Sequence, residues 1–501
     1  MNATLWASPP PIDTLETHFA PFRAGVVGVD ATVETPKGTM PLVYADWIAS
    51  GRLYGPIEAR MAETFAPFVG NTHTETSACG TLMTRAYHEA QRRIKAHVGA
   101  CTDDVLIVAG SGMTGVVNKF QRILGLRLPE RLQRFADVPE AERPVVFVTH
   151  MEHHSNQTSW LETTADVVVV EAGDDGLVDV ERLEETVGRY AASGRLLIGA
   201  FTACSNVTGI ETPIHAMAAV MHRHGGLCFA DYAASAPYVD IDMHPDGPGA
   251  DTCLDAVYFS PHKFLGGPGT PGVLVFHRRL YQNTVPDHPG GGTVNWTNPW
   301  GGHSYVSDIE AREDGGTPAF LQTIRAALAV DVKEQMGTAA IRAREAELLA
   351  VALPRLRAMP GVHLLADTHD ERLGIVSFYV EDMHFNLLVR LLNDRYGVQV
   401  RGGCSCAGTY GHYLLHVDPA RSAEMTASID AGDLTGKMGW VRLSLHPTMT
   451  DAELAYTLDA IEACIVHADA WKADYRYDPH TNEFVFDGPD PLPDVRGWFS
   501  V

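Results

Sequence analysis

The chain has 501 residues, 45% of them apolar, which is enough for a large core and for two or more domains. Its formal net charge of −24 argues against unaided binding to nucleic acid or to an anionic membrane. No apolar run approaches the ~20 residues of a membrane span and the start of the chain lacks a secretion pattern, so we expect a cytoplasmic protein. The eight cysteines are too sparse for a disulfide scaffold and include no zinc-type Cys-x-x-Cys pair, so no metal site is predicted.

Short apolar runs alternate with helical patterns in the first two thirds of the chain. The runs are continuously apolar, which is typical of strands buried on both faces of a mostly parallel sheet. They lie at 105–108, 145–148, 167–170, 196–200, 227–230, 256–259 and 273–276, with helices predicted at 180–192 and 214–224. We therefore predict an α/β domain whose seven-stranded sheet lies between helices and whose strand ends carry the site.

The pattern changes after about residue 317. A long helix is predicted at 320–353, short strands at 362–365 and 374–379, and helices at 385–396 and 451–467. These elements predict a smaller α+β domain. The predicted division is a large domain at 36–318, a small domain at 1–35 and 319–468, and an irregular tail at 469–501 that is rich in Asp, Pro and aromatic residues.

A glycine-rich loop, Gly110-Ser-Gly-Met-Thr-Gly115, follows the first predicted strand of the sheet and opens a helix. Glycines allow the backbone to approach a phosphate, and the unpaired N–H groups at a helix N-terminus bind anions. A plain tight turn is the alternative interpretation of this loop when it is considered alone.

Asp231 and Lys263 each lie at the end of a predicted buried strand. Burial lowers the pKa of a lysine, which leaves its amine free to react with an aldehyde. The aspartate supplies the anion that a protonated pyridine ring needs. Together they predict a pyridoxal phosphate site, although a helix cap and a surface lysine are the alternatives for each residue alone.

Three segments carry a resemblance to a known family. Asp231, Ser260-Pro-His-Lys263 and Arg401-Gly-Gly-Cys-Ser-Cys-Ala407 resemble the fold-type I, class V aminotransferases, and are most similar to the cysteine desulfurases and selenocysteine lyases. The resemblance covers about 44–461. It implies a pyridoxal phosphate enzyme of sulfur metabolism that acts on an amino acid, forms a homodimer and passes sulfur to an acceptor protein.

The resemblance also implies roles for residues around the cofactor. The group that would hold the cofactor phosphate comprises Ser111, Gly112, Met113, Ser260 and His262. In the family, the histidine that matches His153 stacks on the pyridine ring and assists proton transfer, and the asparagine that matches Asn206 bonds the ring oxygen. Thr317 matches a residue that reaches the phosphate of the neighbouring subunit. The alternatives are a loop histidine for His153 and a helix cap for Thr317.

The same resemblance places Cys406 at the position of the desulfurase cysteine, with Cys404 as an extra residue. A thiolate there would attack the substrate sulfur and become a persulfide, and Arg401 could favour that thiolate. Arg442 matches the arginine that binds the substrate α-carboxylate through two parallel hydrogen bonds. Inert cysteines, a Cys-x-Cys redox pair and a surface arginine are the alternatives.

Two features depart from the family pattern. Ala234 lies three residues after the pyridine aspartate, where the family has Gln or His, so Ser235 or another residue would have to replace that contact. An additional segment, 408–439, lies between Cys406 and Arg442 and could form a lid or a docking surface for an acceptor. The sequence therefore leaves three functions open. They are a desulfurase, another class V enzyme (aminotransferase, epimerase or C–S β-lyase), and a carrier on an enzyme fold.

Overall fold

The computed structural model describes residues 14–72 and 74–500. These residues form two compact units. The large unit comprises 50–206 and 210–338, and the small unit comprises the described residues up to 49, then 207–209 and those from 339 onward. The two main boundaries between the units, at 49/50 and 338/339, come later in the chain than the predicted ones at 35/36 and 318/319. Residues 1–13 of the predicted small domain lie outside the described part.

The strands are, in chain order, β1 (Thr32–Thr35), β2 (Gly38–Pro41), β3 (Val43–Tyr44), β4 (Asp104–Ala109), β5 (Val145–Thr149), β6 (Asp166–Val170), β7 (Leu197–Thr202), β8 (Leu227–Asp231), β9 (Ala256–Phe259), β10 (Gly272–His277), β11 (Val294–Thr297), β12 (His303–Tyr305), β13 (Val362–Leu364), β14 (Ile375–Val380), β15 (Val398–Gln399), β16 (Arg401–Gly403), β17 (Trp440–Ser444), β18 (Tyr475–Asp478) and β19 (Glu483–Phe486).

The helices are α1 (Leu15–Ala24), α2 (Gly55–Arg60), α3 (Ala78–His97), α4 (Met113–Ile123), α5 (Glu130–Gln133), α6 (His154–Leu161), α7 (Val180–Ala191), α8 (Ile214–Arg223), α9 (Ile309–Glu313), α10 (Phe320–Met336), α11 (Thr338–Ala358), α12 (Phe385–Tyr396), α13 (Gly408–Leu414), α14 (Pro419–Asp430), α15 (Asp451–Val466) and α16 (Ala468–Lys472).

The large unit is built on a seven-stranded sheet with the order β4-β10-β9-β8-β7-β5-β6. The pairs β9–β8, β8–β7, β7–β5 and β5–β6 are parallel, whereas β10 is antiparallel to both β9 and β4. The prediction of a mostly parallel α/β sheet with seven strands is confirmed. Since β4 therefore runs parallel to β9, the carboxyl ends of β4, β5, β7, β8 and β9 meet at one edge of the sheet.

One face of this sheet is buried under α4 and α6. Alternate strand residues such as Ile107, Val148 and Tyr258 pack there against Phe120 of α4 and Trp160 of α6, and all five are at least 96% buried. Burying such side chains stabilises the fold by roughly 1.5–3 kcal/mol each. The packing fixes the start of both helices, which follow β4 and β5 directly in the chain.

The small unit is built on an antiparallel sheet with the order β13-β14-β17-β16. Helices α11, α12 and α15 contribute Leu348, Leu391 and Leu458 to its core, where they pack with Phe378 of β14. The parallel pairing of β3 with β15 ties the N-terminal segment to this unit, and that long-range pairing explains why the division falls at 49/50.

Two predictions about the C-terminal part are wrong. The helix predicted at 320–353 is interrupted at Gly337, whose φ of +77° favours glycine, so that two helices form. The segment predicted to be an irregular tail contains α16 and the β18–β19 hairpin. Tyr475 and Phe484 of that hairpin are buried in the core of the small unit, and this burial orders the segment.

Within the described part of the chain, no helix has both the length and the apolar character that crossing a membrane would require.

Candidate functional site

The glycine-rich loop of the large unit lies directly against the turn that carries Lys263. The backbone N–H of Met113, the first residue of α4, donates to Ser260 Oγ at 2.8 Å, and the imidazole of His262 (Nδ1) bonds the Ser111 carbonyl at 2.9 Å. A Cβ atom on Gly112 would lie 2.9 Å from Cε1 of His262, so only glycine fits there without a shift. The structure brings these five predicted phosphate residues together.

The surroundings of His262 favour its neutral form. Burial lowers its pKa, the charge of Lys263 lowers it further, and the hydrogen bond to the Ser111 carbonyl opposes both effects. A neutral imidazole that bonds the loop backbone stabilises the loop without adding a charge. The positive charge near the glycine-rich loop therefore comes from Lys263 and from the N-terminus of α4, and not from His262.

The register of the sheet brings Asp231 and Lys263 close to each other. Asp231 is the last residue of β8 and lies beside Tyr258 of β9, and Lys263 ends the 3-10 turn that follows β9. The carboxylate of Asp231 is 3% exposed and accepts a hydrogen bond from the Ala233 N–H at 2.8 Å. Burial raises the pKa of Asp231 to about 6, while the Ala233 N–H and the charge of Lys263 lower it.

These residues fit pyridoxal phosphate. A buried carboxylate is costly unless a cation pairs with it, and a protonated pyridine nitrogen is such a cation. The loop at Gly112 and the start of α4 form a cradle that suits a phosphate. Ser235, one of the residues considered as a replacement for the usual Gln or His, is 1% exposed, and its Oγ has no hydrogen-bond partner within 14–72 and 74–500.

His153 and Asn206 also lie at the carboxyl edge of the sheet. His153 caps α6, where its Nδ1 accepts from the Ser155 N–H at 3.1 Å, which fixes the orientation of the ring. The Ser155 hydroxyl bonds the Thr114 hydroxyl of α4 at 2.7 Å, so the starts of the two helices are tied together. Asn206 follows β7 and is 6% exposed.

A buried polar network below His153 was not found by the sequence analysis. Glu152, 1% exposed, accepts from Asn156 Nδ2 at 2.8 Å, from the Thr149 hydroxyl at 2.8 Å and from the Thr202 N–H at 2.9 Å. Burial raises the pKa of Glu152 to about 8 despite these donors. Tyr258 completes the network by donating to Asn156 Oδ1 at 2.7 Å.

The signal for this network is visible in the sequence in retrospect. Glu152 and Asn156 are four residues apart across the start of a helix and therefore point to the same side. The network links the segment before His153 to Tyr258, the register partner of Asp231.

In the small unit, Arg442 and Arg401 lie side by side. They face each other across β17 and β16, and one carboxylate bridges them. Asp46 Oδ1 accepts from Arg442 Nη2 at 2.9 Å, and Asp46 Oδ2 accepts from Arg401 Nε at 3.0 Å. Arg442 is 3% exposed, and burial lowers its pKa while Asp46 raises it. Asp46 was not predicted, because it lies in a segment distant in sequence from both arginines.

Cys406 lies on a strained turn between β16 and α13. Ser405 and Cys406 have φ of +52° and +56°, and the Ala407 N–H closes the turn by donating to the Cys404 carbonyl at 3.0 Å. Left-handed backbone is unfavourable for residues other than glycine and is concentrated at functional sites. Cys406 is exposed whereas Cys404 is partly buried, and Cys406 lies near Arg442.

Two further predicted features have a defined place in the structure. Thr317 is exposed and lies just before α10. The additional segment at 408–439 contains α13 and α14, with Tyr410 99% buried, so that part of it belongs to the packed small unit.

An α/β sheet that carries a lysine beside a buried aspartate suits the class of enzymes that use an aldehyde cofactor. The chain belongs to the class-V aminotransferase family, whose model matches residues 43–456. It is similar to a probable cysteine desulfurase of Halalkalibacterium halodurans, with 29% identity over 76% of this chain and 88% of the relative. A probable cysteine desulfurase of Staphylococcus aureus is 26% identical over 76% of this chain and 87% of the relative.

Solved structures show the same fold. The apo cysteine desulfurase of Thermococcus onnurineus has a TM-score of 0.70 at 20% identity, with 89% of this chain and 98% of that chain covered. A cysteine desulfurase of Escherichia coli has a TM-score of 0.68 at 22% identity, with the same coverage. The predicted family and fold are thereby confirmed.

Proposed function

We propose that this protein is a pyridoxal phosphate-dependent cysteine desulfurase. It cleaves the C–S bond of L-cysteine, or the C–Se bond of selenocysteine, and releases alanine. The observation that carries this proposal is Cys406, an exposed thiol on a left-handed turn beside Arg442. The relatives that are named probable cysteine desulfurases cover most of the chain and support the same reaction.

Lys263, Asp231 and the loop at 111–113 would hold the cofactor, together with Ser260, His262, His153 and Asn206. When bound, pyridoxal phosphate supplies an electron sink that stabilises the carbanion formed when an amino acid loses its Cα proton. Asp231 keeps a proton on the ring nitrogen because the pair neutralises a charge that is otherwise buried alone. His153, held by the Ser155 N–H, offers a flat face of fixed orientation.

The remaining roles belong to groups of the chain. The ε-amine of Lys263 removes the Cα proton of the substrate and later returns a proton. Arg442 binds the substrate carboxylate, and Arg401 adds positive charge beside it. Cys406 Sγ attacks the substrate sulfur, so that an S–S bond forms as the C–S bond breaks. L-cysteine and the Cys406 thiol thus give alanine and a Cys406 persulfide, a step that balances without an oxidant.

The partners are an amino acid, a second copy of the chain and a sulfur acceptor protein. The exposure of Thr317 before α10 is compatible with a contact to a second copy. We propose a homodimer, which sedimentation of the purified protein would test, since a monomer with full activity would contradict it. The cytoplasmic location stays a prediction from the sequence.

The experiment that tests the function measures alanine and sulfide produced from L-cysteine in the presence of a thiol reductant. Cys406→Ala should lose at least about 100-fold of this activity, because no nucleophile then accepts the sulfur. Cys404→Ala is the matched control, two residues away and partly buried, and should retain activity.

Other outcomes would overturn the proposal. Pyruvate and ammonia as products would indicate a β-lyase, and an active Cys406→Ala protein would remove Cys406 from the reaction. Absorbance of the bound cofactor, measured on each variant, separates loss of chemistry from loss of the cofactor.

A further inference from the structure

A second cluster of reactive side chains lies at the amino-terminal end of β4, opposite to the carboxyl ends of the strands that carry the proposed cofactor site. One ligand atom each from Cys101, Asp104 and His244 lies within 4.8 Å of the other two. Asp104 is the first residue of β4, and the phosphate loop follows Ala109, the last residue of that strand. Six strand residues span about 20 Å, so this cluster is separate from the proposed cofactor site.

Backbone hydrogen bonds fix the two segments that carry the cluster. The Cys101 N–H donates to Asp104 Oδ2 at 2.7 Å, and the Asp104 N–H donates to the Cys101 carbonyl at 3.2 Å. The Met243 N–H, next to His244, donates to the Val98 carbonyl at 2.9 Å. The cluster is therefore built on ordered backbone that is held from both sides.

Asp104 has an oxygen without a partner. The residue is 2% exposed, and its Oδ2 lies 2.6 Å from His244 Nε2. No described residue, in 14–72 or 74–500, donates a hydrogen bond to its Oδ1. A buried carboxylate oxygen is normally hydrogen-bonded or bound to a metal, because its desolvation is costly. The unpartnered oxygen is a second observation, independent of the clustering of the three side chains, that points to a ligand site.

The surroundings of His244 orient its ring for binding through Nε2. Its Nδ1 lies 3.4 Å from Cys253 Sγ, and that thiol donates to the Gly247 carbonyl at 3.1 Å, so the sulfur is available to accept from Nδ1–H. Metal-binding histidines use their second nitrogen in this way. A cavity of about 400 Å³, lined by Cys101, His244 and Cys253, provides a path for an ion.

We propose that the large unit binds a zinc ion through Cys101 Sγ, the Asp104 carboxylate and His244 Nε2, with water as the fourth ligand. One thiolate, one imidazole and one carboxylate suit zinc and do not suit magnesium or calcium, which take oxygen ligands. On binding, the ion replaces the thiol proton of Cys101 and any proton on His244 Nε2. The ion ties the segment at 101–104 to the segment at 242–254 and stabilises the large unit.

The test uses the full-length protein with its cofactor and inorganic Zn²⁺ in equilibrium dialysis. Wild type should bind one Zn²⁺ per chain more than Cys101→Ser, or bind it at least about 100-fold more tightly. Cys79→Ser, which alters an exposed cysteine of the same unit, is the matched control and should bind like wild type. Zinc bound at Cys404 or Cys406 is common to all three proteins and cancels in the comparison.

A second measurement keeps the test decisive if Cys101→Ser folds poorly. Co²⁺ added to wild type should give a thiolate-to-cobalt charge-transfer absorption that is absent in His244→Gln. Zn²⁺ should also raise the unfolding temperature of wild type and of Cys79→Ser, and should leave that of His244→Gln unchanged. Equal zinc binding by wild type and by both ligand variants, or no binding by wild type, would overturn the proposal.

Discussion

The proposed cofactor residues of the large unit and the cysteine–arginine cluster of the small unit are built in different ways. In the large unit, Asp231 ends β8 and Lys263 ends the turn after β9, and the parallel register of these two strands brings them to one edge of the sheet. In the small unit, an antiparallel register pairs Arg401 with Arg442, and Asp46 joins them from a distant segment. On the proposed function, the first arrangement decides which cofactor binds, and the second decides which reaction follows. Changes in the large unit should therefore abolish all chemistry, whereas changes in the small unit should leave the cofactor in place.

The largest effect is expected for Lys263→Ala. Loss of both the covalent attachment and the proton-transferring amine should lower the rate of alanine formation by about 10⁴-fold. The measurement is the rate with L-cysteine, together with the mass of the protein after borohydride reduction. Lys437→Ala, at an exposed lysine, is the control. A Lys263→Ala protein that keeps more than about a tenth of the activity would contradict the assignment.

Asp231→Asn should lower the rate by about 10²–10³-fold, since an amide cannot keep the ring nitrogen protonated. The cofactor should still bind through Lys263, so its absorbance should persist while turnover falls. Asp137→Asn, at an exposed aspartate of the same unit, should behave like wild type. Unchanged turnover in Asp231→Asn would show that another group performs this role.

Asp46→Asn tests how much the carboxylate bridge contributes to the stability of the small unit. The substitution leaves the buried guanidinium of Arg442 without its carboxylate, so we expect a loss of stability of about 3 kcal/mol, seen as a lower unfolding temperature. Cofactor absorbance should be unchanged before unfolding. Asp30→Asn, at an exposed aspartate of the same unit, is the control. Equal unfolding temperatures for the two variants would show that the bridge contributes no stability.

The smallest expected effect concerns Glu152. Its pKa is raised from 4.5 to about 8, so the folded protein binds a proton that the unfolded chain releases at lower pH. The stabilisation from Glu152 is complete below about pH 4.5 and is lost as the pH rises toward about 8. In Glu152→Gln this loss should be absent, and the unfolding free energy of wild type should fall relative to the variant by roughly 2 kcal/mol between about pH 6 and about pH 8. Parallel pH profiles for the two proteins would contradict a protonated Glu152.

The sequence by itself determined the parts that depend on local pattern. Seven continuous apolar runs predict the seven strands, because burial on both faces leaves no alternation. Asp231 and Lys263 lie at the end of one such strand and shortly after the end of another, as the sequence pattern predicts. The Arg401-to-Ala407 motif is also local in the chain, and it marks Cys406 through its resemblance to the family.

Tertiary structure decided what depends on partners far apart in the chain. The antiparallel insertion of β10, the bridge from Asp46 to two arginines and the charge state of Glu152 follow from register and burial, which no local pattern encodes. The same holds for the cluster of Cys101, Asp104 and His244, whose first two members are three residues apart whereas the third comes from position 244. Local pattern fixes how a segment folds, and only packing fixes which distant side chains meet and how far each charge is removed from water.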